Sequence, residues 1–180
     1  KGIIRKSDTE LDVKTVNVQR DAVRKNIADA KVGESVELRG ALVQVFESKP
    51  FYFVCPTCEK RVPEGSCAEH GSVVPKPVLM ASGVIDDGTG NIRAVFFREA
   101  AERVLGLTTD EAFKKSGNGM NPRVVIEYLQ KSLGRELVVR GYMKENTFFE
   151  RPEVMVNEVL EFNPLDEAKL LAGELKAASP

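Results

Sequence analysis

The chain contains few residues of the kinds that build disulfide frameworks or catalytic centres. Among its 180 residues are three cysteines and one histidine. Three cysteines are too few for a disulfide framework, and their odd number would leave one unpaired. Charge of one sign is not in excess either, because 26 basic residues face 27 acidic ones and the formal net charge is -1. This balance argues against a protein that coats nucleic acid through bulk positive charge, but it leaves room for a local basic groove.

Long hydrophobic runs and a leader pattern are missing as well. No apolar run approaches the roughly 20 residues that a membrane-spanning helix needs. The first residues lack the successive charged, apolar and small-residue regions of a secretory signal. The chain begins with Lys1 rather than Met, so we expect it to be part of a longer protein. Its composition, 42% hydrophobic and 29% charged, predicts a globular unit large enough to form a core.

Hydrophobic patterns predict the order of the secondary structure. Residues 1–30 are rich in charge and are interpreted as a linker or N-terminal arm. After them, alternating apolar and polar residues predict strands, and capping signals predict helices. The predicted elements are strands at 35–46, 78–85 and 92–97, a hairpin turn at 86–91, short helices between 98 and 134, strands at 136–144 and 151–162, and a helix from Asn163 to Ala178.

This order of elements predicts the fold class. Three strands, a helical segment, two strands and a terminal helix are the order of an OB fold. We therefore expect a mainly β protein with a five-stranded OB-fold barrel over residues 31–162. An insert at about 53–72 would lie between the first two strands, a helical insert between the third and fourth, and an oligomerisation helix at 163–180. A generic α+β domain is the alternative architecture.

All cysteines and the histidine fall within sixteen residues. The motif Cys55-x-x-Cys58 is followed by Cys67-x-x-His70. Two such pairs supply three thiolates and an imidazole, a set typical of one tetrahedral zinc ion per chain. Four protein ligands leave no position for a catalytic water, so the motif predicts a structural zinc ribbon. Free thiols beside a surface histidine, or a redox Cys-x-x-Cys pair, are the alternative interpretations.

The same motif argues against a reaction. In zinc deaminases an H-x-E sequence precedes P-C-x-x-C, whereas here the cysteine pair comes first and the spacing is far shorter. With the histidine assigned to the metal, no pair of nucleophile and base can be proposed. We predict that the chain is not an enzyme.

Two segments combine cations with aromatic rings. In the third predicted strand, alternation places Arg93 and Phe97 on the face opposite the inward residues Ile92, Ala94 and Phe96. An outward ring can stack on a base while a guanidinium binds phosphate. The later hairpin repeats this combination with Lys144, Phe148, Phe149 and Arg151. A core position for Phe97 is the alternative, and the sequence leaves open whether Phe148 or Phe149 points outward.

Residues 83–97, in which Asp-Asp-Gly-Thr-Gly-Asn is followed by Ile-Arg-Ala-Val-Phe-Phe, closely resemble the strand–turn–strand of the large subunit of replication protein A. The metal motif and the trailing helix resemble the most C-terminal OB domain of that subunit, and the resemblance extends over about residues 35–178. The compact motif with a histidine looks more like archaeal members than the longer four-cysteine ribbon of eukaryotes.

The resemblance implies a module that binds single-stranded DNA with little sequence preference, in DNA replication, repair and recombination. It implies that Arg93 and Phe97 contact DNA and that Phe148 or Phe149 provides the stacking ring of the hairpin. It also implies an intracellular location, in the cytoplasm or nucleoid of an archaeon or in the nucleus if the source is eukaryotic.

The terminal helix has an apolar stripe whose members are Leu165, Ala168, Leu171, Ala172 and Leu175. A helix of about 14 residues is marginal alone and must pack against something. In the resembled family this helix joins one helix from each of two smaller OB-fold subunits, which assembles a heterotrimer. Packing of the helix on its own barrel is the alternative.

Two other functions stay open at this point. The chain could chiefly be a trimerisation scaffold with weak DNA binding, which its near-neutral charge fits equally well. It could also be an OB-fold zinc module of a larger DNA-processing enzyme such as a helicase or ligase.

Overall fold

The computed structural model describes residues 22–62, 65–161 and 163–178. Within these ranges the chain forms nine strands, one 3-10 turn and four α-helices. The strands are β1 (Val23–Arg24), β2 (Ser35–Val45), β3 (Phe51–Val54), β4 (Ser66–Cys67), β5 (Gly71–Ser72), β6 (Lys76–Asp86), β7 (Asn91–Phe97), β8 (Glu136–Asn146) and β9 (Arg151–Leu160). The 3-10 turn is Ile27–Asp29, and the helices are α1 (Glu99–Leu105), α2 (Thr109–Lys115), α3 (Arg123–Gln130) and α4 (Pro164–Ala178).

Five strands are joined in a ring of pairings. β2 pairs with β8, β8 with β9, β9 with β7, β7 with β6, and β6 returns to β2. Within this ring only the β7–β9 pair is parallel. The short β1 and β3 extend the sheet at its two ends. The prediction of a mainly β protein is confirmed.

A bend in β2 lets that strand pair with two neighbours. Its first half, Ser35 to Ala41, pairs with β8, and its second half pairs with β6. The register shifts between Leu42 and Gln44, slightly beyond Gly40. Gly40 has a different role: a Cβ there would lie 2.8 Å from the backbone oxygen of Asp86. Glycine is therefore required at this close approach of two strands.

The core lies inside the ring and is closed on one side by helices. Alternation in β7 sends Ile92, Ala94 and Phe96 into the core and leaves Arg93 and Phe97 on the other face. Helix α1 adds Ala101 and Val104 to the same apolar cluster, and α3 adds buried residues from the face set by its 3.6-residue period. The opposite face of β7 therefore lies outside the core.

Residues 22–30 belong to the folded unit, so the prediction of a linker through residue 30 is wrong for this part. β1 pairs in parallel with β2, and Ile27 is buried in the core. The backbone N–H of Ile27 donates to the Asp87 carboxylate at 2.7 Å. An apolar side chain with a place in the core and satisfied backbone groups outweighs the charged composition of its neighbours. Residues 1–21 lie outside the described residues.

Helix α4 follows β9 and is tied to the sheet by charge. The side-chain oxygen of Asn163 accepts a hydrogen bond from the Leu165 N–H at 3.1 Å, as expected at the start of a helix. Arg24 donates two hydrogen bonds, of 2.9 and 2.5 Å, to the buried Glu167 carboxylate. Arg39 lies 3.5 Å from the same carboxylate. None of the helices in the described ranges combines the length and apolar character that crossing a membrane requires.

Candidate metal centre and nucleic-acid interface

Three thiols and one imidazole form a tight cluster between β3 and β5. The ligand atoms of Cys55, Cys58, Cys67 and His70 all lie within 4.8 Å of one another. The Cys58 and Cys67 sulfurs are 3.5 Å apart, and His70 Nδ1 lies 3.6 Å from Cys67 Sγ and 3.7 Å from Cys55 Sγ. Sulfur ligands at about 2.3 Å from a tetrahedral ion lie about 3.8 Å from one another. The cluster therefore has the size and the donor set of a tetrahedral metal site.

Two turns of the backbone bring these ligands together. After β3, the chain turns back through Glu59, whose φ is 57° and whose N–H donates to the Cys55 carbonyl at 2.9 Å. The second pair spans the turn between β4 and β5. Val62 packs against Cys55 and Cys67 in a small cluster separate from the main core. So few apolar contacts leave most of the stabilisation of this segment to the ligand cluster.

The three thiols of the cluster affect one another's ionisation. A hydrogen bond from the Lys60 backbone lowers the pKa of Cys58, but burial and the thiols of Cys67 and Cys55 outweigh it and raise the pKa to about 11. Three thiolates this close repel one another unless a positive ion lies between them. Four ligands complete a tetrahedral shell and provide stabilisation rather than an open reaction site.

An ion pair connects this insert to the end of β7. Arg98 follows the last residue of β7 and donates to the Glu59 carboxylate at 2.6 Å. This hydrogen bond, with the charge of Arg98, lowers the pKa of Glu59. Lys60 forms a second pair with Glu69 across the insert. The ligand loop is therefore fixed next to Phe97 and does not project freely from the sheet.

Phe97 lies at the end of β7 beside an aromatic residue of β3. The rings of Phe97 and Tyr52 are 6.3 Å apart in an edge-to-face arrangement, and Phe97 is half-buried. The neighbours of Tyr52 in β3, Phe51 and Phe53, turn to the opposite face and contact Phe113 of α2. Tyr52 and Phe97 therefore form an aromatic corner on the outer face of the sheet.

Arg93 lies on the same face between two aromatic rings. Its guanidinium carbon is 4.8 Å from the centre of the Phe46 ring and 5.7 Å from the centre of the Phe149 ring. Its Nε is 3.4 Å from the carboxylate of Glu153, which lies directly opposite in β9 and is 8% exposed. Cation–π contacts and an ion pair thus hold Arg93 in place while part of its side chain stays accessible.

The hairpin between β8 and β9 presents two exposed phenylalanines. Phe148 is 84% exposed and Phe149 is 55% exposed, with ring centres 4.9 Å apart. The side-chain oxygen of Asn146 accepts hydrogen bonds from the N–H groups of both residues, at 3.0 and 3.1 Å. The side-chain amide of Asn146 donates to Glu153 at 2.8 Å. Phe149 therefore faces Arg93, whereas Phe148 is the outer ring of the pair.

The two remaining predicted contacts lie at the base of this hairpin. Lys144 is exposed and is the register partner of Glu153, and Arg151 is exposed opposite Asn146. The structure thus gathers Arg93, Phe149, Lys144 and Arg151 around Glu153 and Asn146. Phe97 lies nearer the metal cluster, beside Tyr52.

Sequence reasoning missed three residues of this face: Phe46, Tyr52 and Glu153. The end of β2 lies beyond the register shift, so simple alternation does not assign a face to Phe46. Tyr52 lies between two other aromatic residues, which conceals the side on which each one points. Glu153 is four residues after Phe149 in a strand rich in valine, and its role depends on the parallel β7–β9 pairing, for which the sequence has no local signal.

The terminal helix keeps most of its apolar stripe accessible. Leu165 is 72% exposed and Leu171 is 47% exposed, and Ala168 and Ala172 are exposed as well. The side chain of Leu175 lies outside the described residues. A cavity of about 560 Å³, lined in part by Arg24, Arg39 and Leu171, separates α4 from β1 and β2.

Fold and site together define a mainly β protein with a Cys3His cluster at the edge of its sheet and an aromatic, cationic face beside it. No family model matches the chain. An alignment of 93 positions that covers 48% of the chain is 33% identical to replication factor A of Methanothermobacter thermautotrophicus. An alignment of 122 positions that covers 63% of the chain is 25% identical to the replication factor A 51 kDa subunit of Crithidia fasciculata. The chain covers only 12% and 26% of these relatives.

Solved structures agree on the fold. A replication protein A heterotrimer bound to ssDNA covers 88% of the chain with a TM-score of 0.64 at 15% identity, over 40% of that protein's chain. Yeast RPA bound to ssDNA covers 88% with a TM-score of 0.64 at 21% identity, over 98% of its own chain. The chain therefore shares its fold with these replication protein A structures and is similar in sequence to replication factor A, which agrees with the resemblance found in the sequence.

Proposed function

We propose that the chain is the C-terminal OB domain of an archaeal-type large subunit of replication protein A. In this proposal the ring of five strands is the OB barrel, and residues 22–161 form the domain with the metal-binding insert between β2 and β6. The domain binds single-stranded DNA in replication, repair and recombination. Helix α4 connects it to two smaller OB-fold subunits in a heterotrimer.

The observation that carries the DNA-binding proposal is the environment of Arg93. A guanidinium between two aromatic rings, on the outer face of the sheet, offers both a phosphate contact and stacking surfaces. In this arrangement Arg93, Lys144 and Arg151 bind phosphates, while Phe97 and Phe148 or Phe149 stack on bases. The partly exposed rings tolerate any base because every base has a π face, so little sequence preference is expected.

The metal in this proposal is one structural zinc ion per chain. Three thiolates and an imidazole are the donors that tetrahedral zinc prefers, and the spacing of Cys55, Cys58, Cys67 and His70 Nδ1 fits the ion. When bound, zinc supplies folding free energy and no catalytic water. The Arg98–Glu59 ion pair then connects the ordered insert to the end of β7.

The assembly role rests on α4. Leu165 and Leu171 are large apolar side chains that the described part of the chain leaves exposed, on a helix anchored by the Glu167 ion pairs. An anchored helix with an uncovered apolar stripe is suited to pack against helices of partner subunits. This observation also favours the second candidate, a trimerisation scaffold with weak DNA affinity.

The experiment that separates the two candidates is a fluorescence anisotropy titration of labelled oligothymidine with wild type and Phe97→Ala. Loss of one stacking ring costs about 1–3 kcal/mol of binding free energy, so a clear fall in affinity is expected. Phe53→Ala is the matched control, because Phe53 is also exposed but contacts Phe113 on the other face of β3. Equal DNA affinity of wild type and Phe97→Ala would contradict DNA binding on the outer face of the sheet. The trimerisation scaffold would then be the remaining candidate.

A further inference from the structure

A second concentration of positive charge lies on the helices, away from the outer face of the sheet. Residues 113–135 contain five basic residues and one acidic residue, Glu127, in a chain whose net charge is -1. Lys115 ends α2 and Lys131 caps the C-terminus of α3. Proximity to helix C-termini explains why lysines are tolerated at both positions. This proximity does not explain why the two lysine side chains approach the same aromatic ring.

That ring belongs to Tyr128 in α3. The Lys131 ammonium lies 4.3 Å from the ring centre and the Lys115 ammonium 5.8 Å from it, so the two nitrogens are no farther apart than the sum of these distances. Two like charges are thereby held together by one aromatic ring. Lys115, Tyr128 and Lys131 form what we call the lysine–tyrosine patch.

No carboxylate of the described residues forms a salt bridge with either lysine. The nearest acidic group along α2, Glu111, accepts hydrogen bonds from the N–H and hydroxyl of Thr108 at 3.0 and 2.9 Å. The pKa of Glu111 is lowered first by the Thr108 backbone hydrogen bond, with smaller contributions from Lys115 and Lys114. Its carboxylate is thus occupied at the start of its own helix. Lys114 of α2 and Arg123, the first residue of α3, are further exposed cations on the same two helices.

We propose that the lysine–tyrosine patch is an accessory phosphate-binding site for the single strand that occupies the DNA-binding face, and this inference rests on the proposed function. Helix α2, which carries Lys115, packs on the side of β3 opposite the DNA-binding face. Tyr52 turns toward Phe97, whereas Phe51 turns toward Phe113, two residues before Lys115. β3 is the last strand of its sheet, so a DNA strand that leaves the outer face reaches the patch by passing this edge.

The size and charge of the patch suit a phosphate group and not a base. Two lysines lie against the Tyr128 ring and occupy π surface that a stacked base would need, while two ammonium groups without a carboxylate partner among the described residues attract an anion. Such contacts add affinity only when the strand is long enough to pass β3. The patch therefore predicts a dependence on the length of the DNA.

The test compares the 180-residue wild type with Lys115→Gln plus Lys131→Gln on two labelled oligothymidines. One, of about 8 nucleotides, fits a single OB groove, and the other has about 30. For the long strand, loss of two phosphate contacts lowers the slope of log K against log salt by about 1.4 and the affinity at low salt roughly tenfold. Affinity for the short strand stays unchanged.

A control separates the patch from general charge. Lys31→Gln plus Lys176→Gln removes the same net charge from two exposed lysines on other elements, and it leaves the length dependence intact. Equal loss for both oligonucleotides, equal loss in the control, or no loss in the patch variant would overturn the inference. In each of these results the short strand still binds wild type, so the proposed function stands. A wild type that binds neither strand would overturn both.

Discussion

At the scale of single residues, the outer face of β7 shows what a pattern can predict. Alternation correctly separates Arg93 and Phe97 from the buried Ile92, Ala94 and Phe96, because successive side chains of a strand point to opposite faces. The partners of Arg93 were not predictable. Phe46 directly follows β2 and Glu153 lies in β9, and both reach Arg93 only through the register of the folded sheet.

Asp87 is a residue whose charge matters to the fold. Its carboxylate accepts hydrogen bonds from the N–H groups of Ile27, Thr89 and Gly90, at 2.7 to 3.1 Å. Partial burial opposes ionisation, but these donors outweigh it and hold the pKa of Asp87 below its usual range. One side chain thus closes the β6–β7 turn and fixes residues 22–30 to it.

We predict that Asp87→Asn lowers the free energy of unfolding by about 1–2 kcal/mol at neutral pH, because hydrogen bonds to a charged acceptor are lost. A carboxyl with a lowered folded-state pKa stabilises above its unfolded pKa, near 4, and loses this effect as pH falls through the folded value. The difference between variant and wild type should therefore shrink at about pH 3. Denaturant unfolding at both pH values measures it.

Asp86→Asn is the control for this prediction, because Asp86 accepts only the Gly88 N–H within the described turn. It should cost less than Asp87→Asn at neutral pH. A difference between Asp87→Asn and wild type that persists unchanged at low pH would contradict the assignment.

At the scale of elements, the sequence correctly predicted helices and turns where capping and turn residues gave a strong local signal. Capping signals correctly predicted short helices between 98 and 134, where α2 begins with a capping box of reciprocal bonds between Thr108 and Glu111, and the predicted hairpin turn joins β6 to β7. The short β1, β3, β4 and β5 were not predicted. Strands of two to four residues carry too little alternation to be recognised, and their existence depends on pairing with distant segments.

The insert provides a test of the metal. We predict that Cys58→Ser abolishes zinc binding and lowers the stability of the domain, because the free energy of metal binding is also free energy of folding for a segment with few apolar contacts. Zinc content by mass spectrometry and thermal melting measure both effects. Thr57→Ser, a change at an exposed neighbour in the same turn, should leave both unchanged. A wild type without zinc whose melting Cys58→Ser does not alter would contradict the assignment.

Helix α4 provides a test of assembly. We predict that Leu165→Asp plus Leu171→Asp abolishes co-purification with the two smaller subunits, because a charged side chain in the centre of a helical interface is left without a partner. The exposed Lys176 permits the control Lys176→Asp on the same helix. Zinc content and melting temperature should be those of wild type in both variants. Co-purification retained by the double variant would argue that the helix serves only its own domain.

At the scale of the whole molecule, the order of elements predicted the architecture better than its details. Three strands, a helical segment, two strands and a helix are present in that order, and structures of replication protein A share the fold. The parallel β7–β9 pairing and the return of β6 to β2 join segments far apart in sequence. Such pairings depend on the packing of the complete chain, so a short stretch of sequence cannot predict them.

The near-neutral charge of the chain limits how it can bind DNA in the proposed function. Affinity must come from a few placed cations and rings rather than from net charge. Because stacking requires unpaired bases, the face around Arg93 and Phe97 should discriminate single strands from duplexes of the same sequence. This discrimination is the central claim about the molecule.

The most direct test is the anisotropy of a labelled single strand bound to wild type, over a series of salt concentrations, with unlabelled single strand or duplex as competitor. The account predicts saturable binding that weakens as salt rises, at a slope of about 0.7 per phosphate contact, and a duplex that competes poorly. Absence of saturable binding at the lowest salt, or a duplex that competes as well as the single strand, would contradict it.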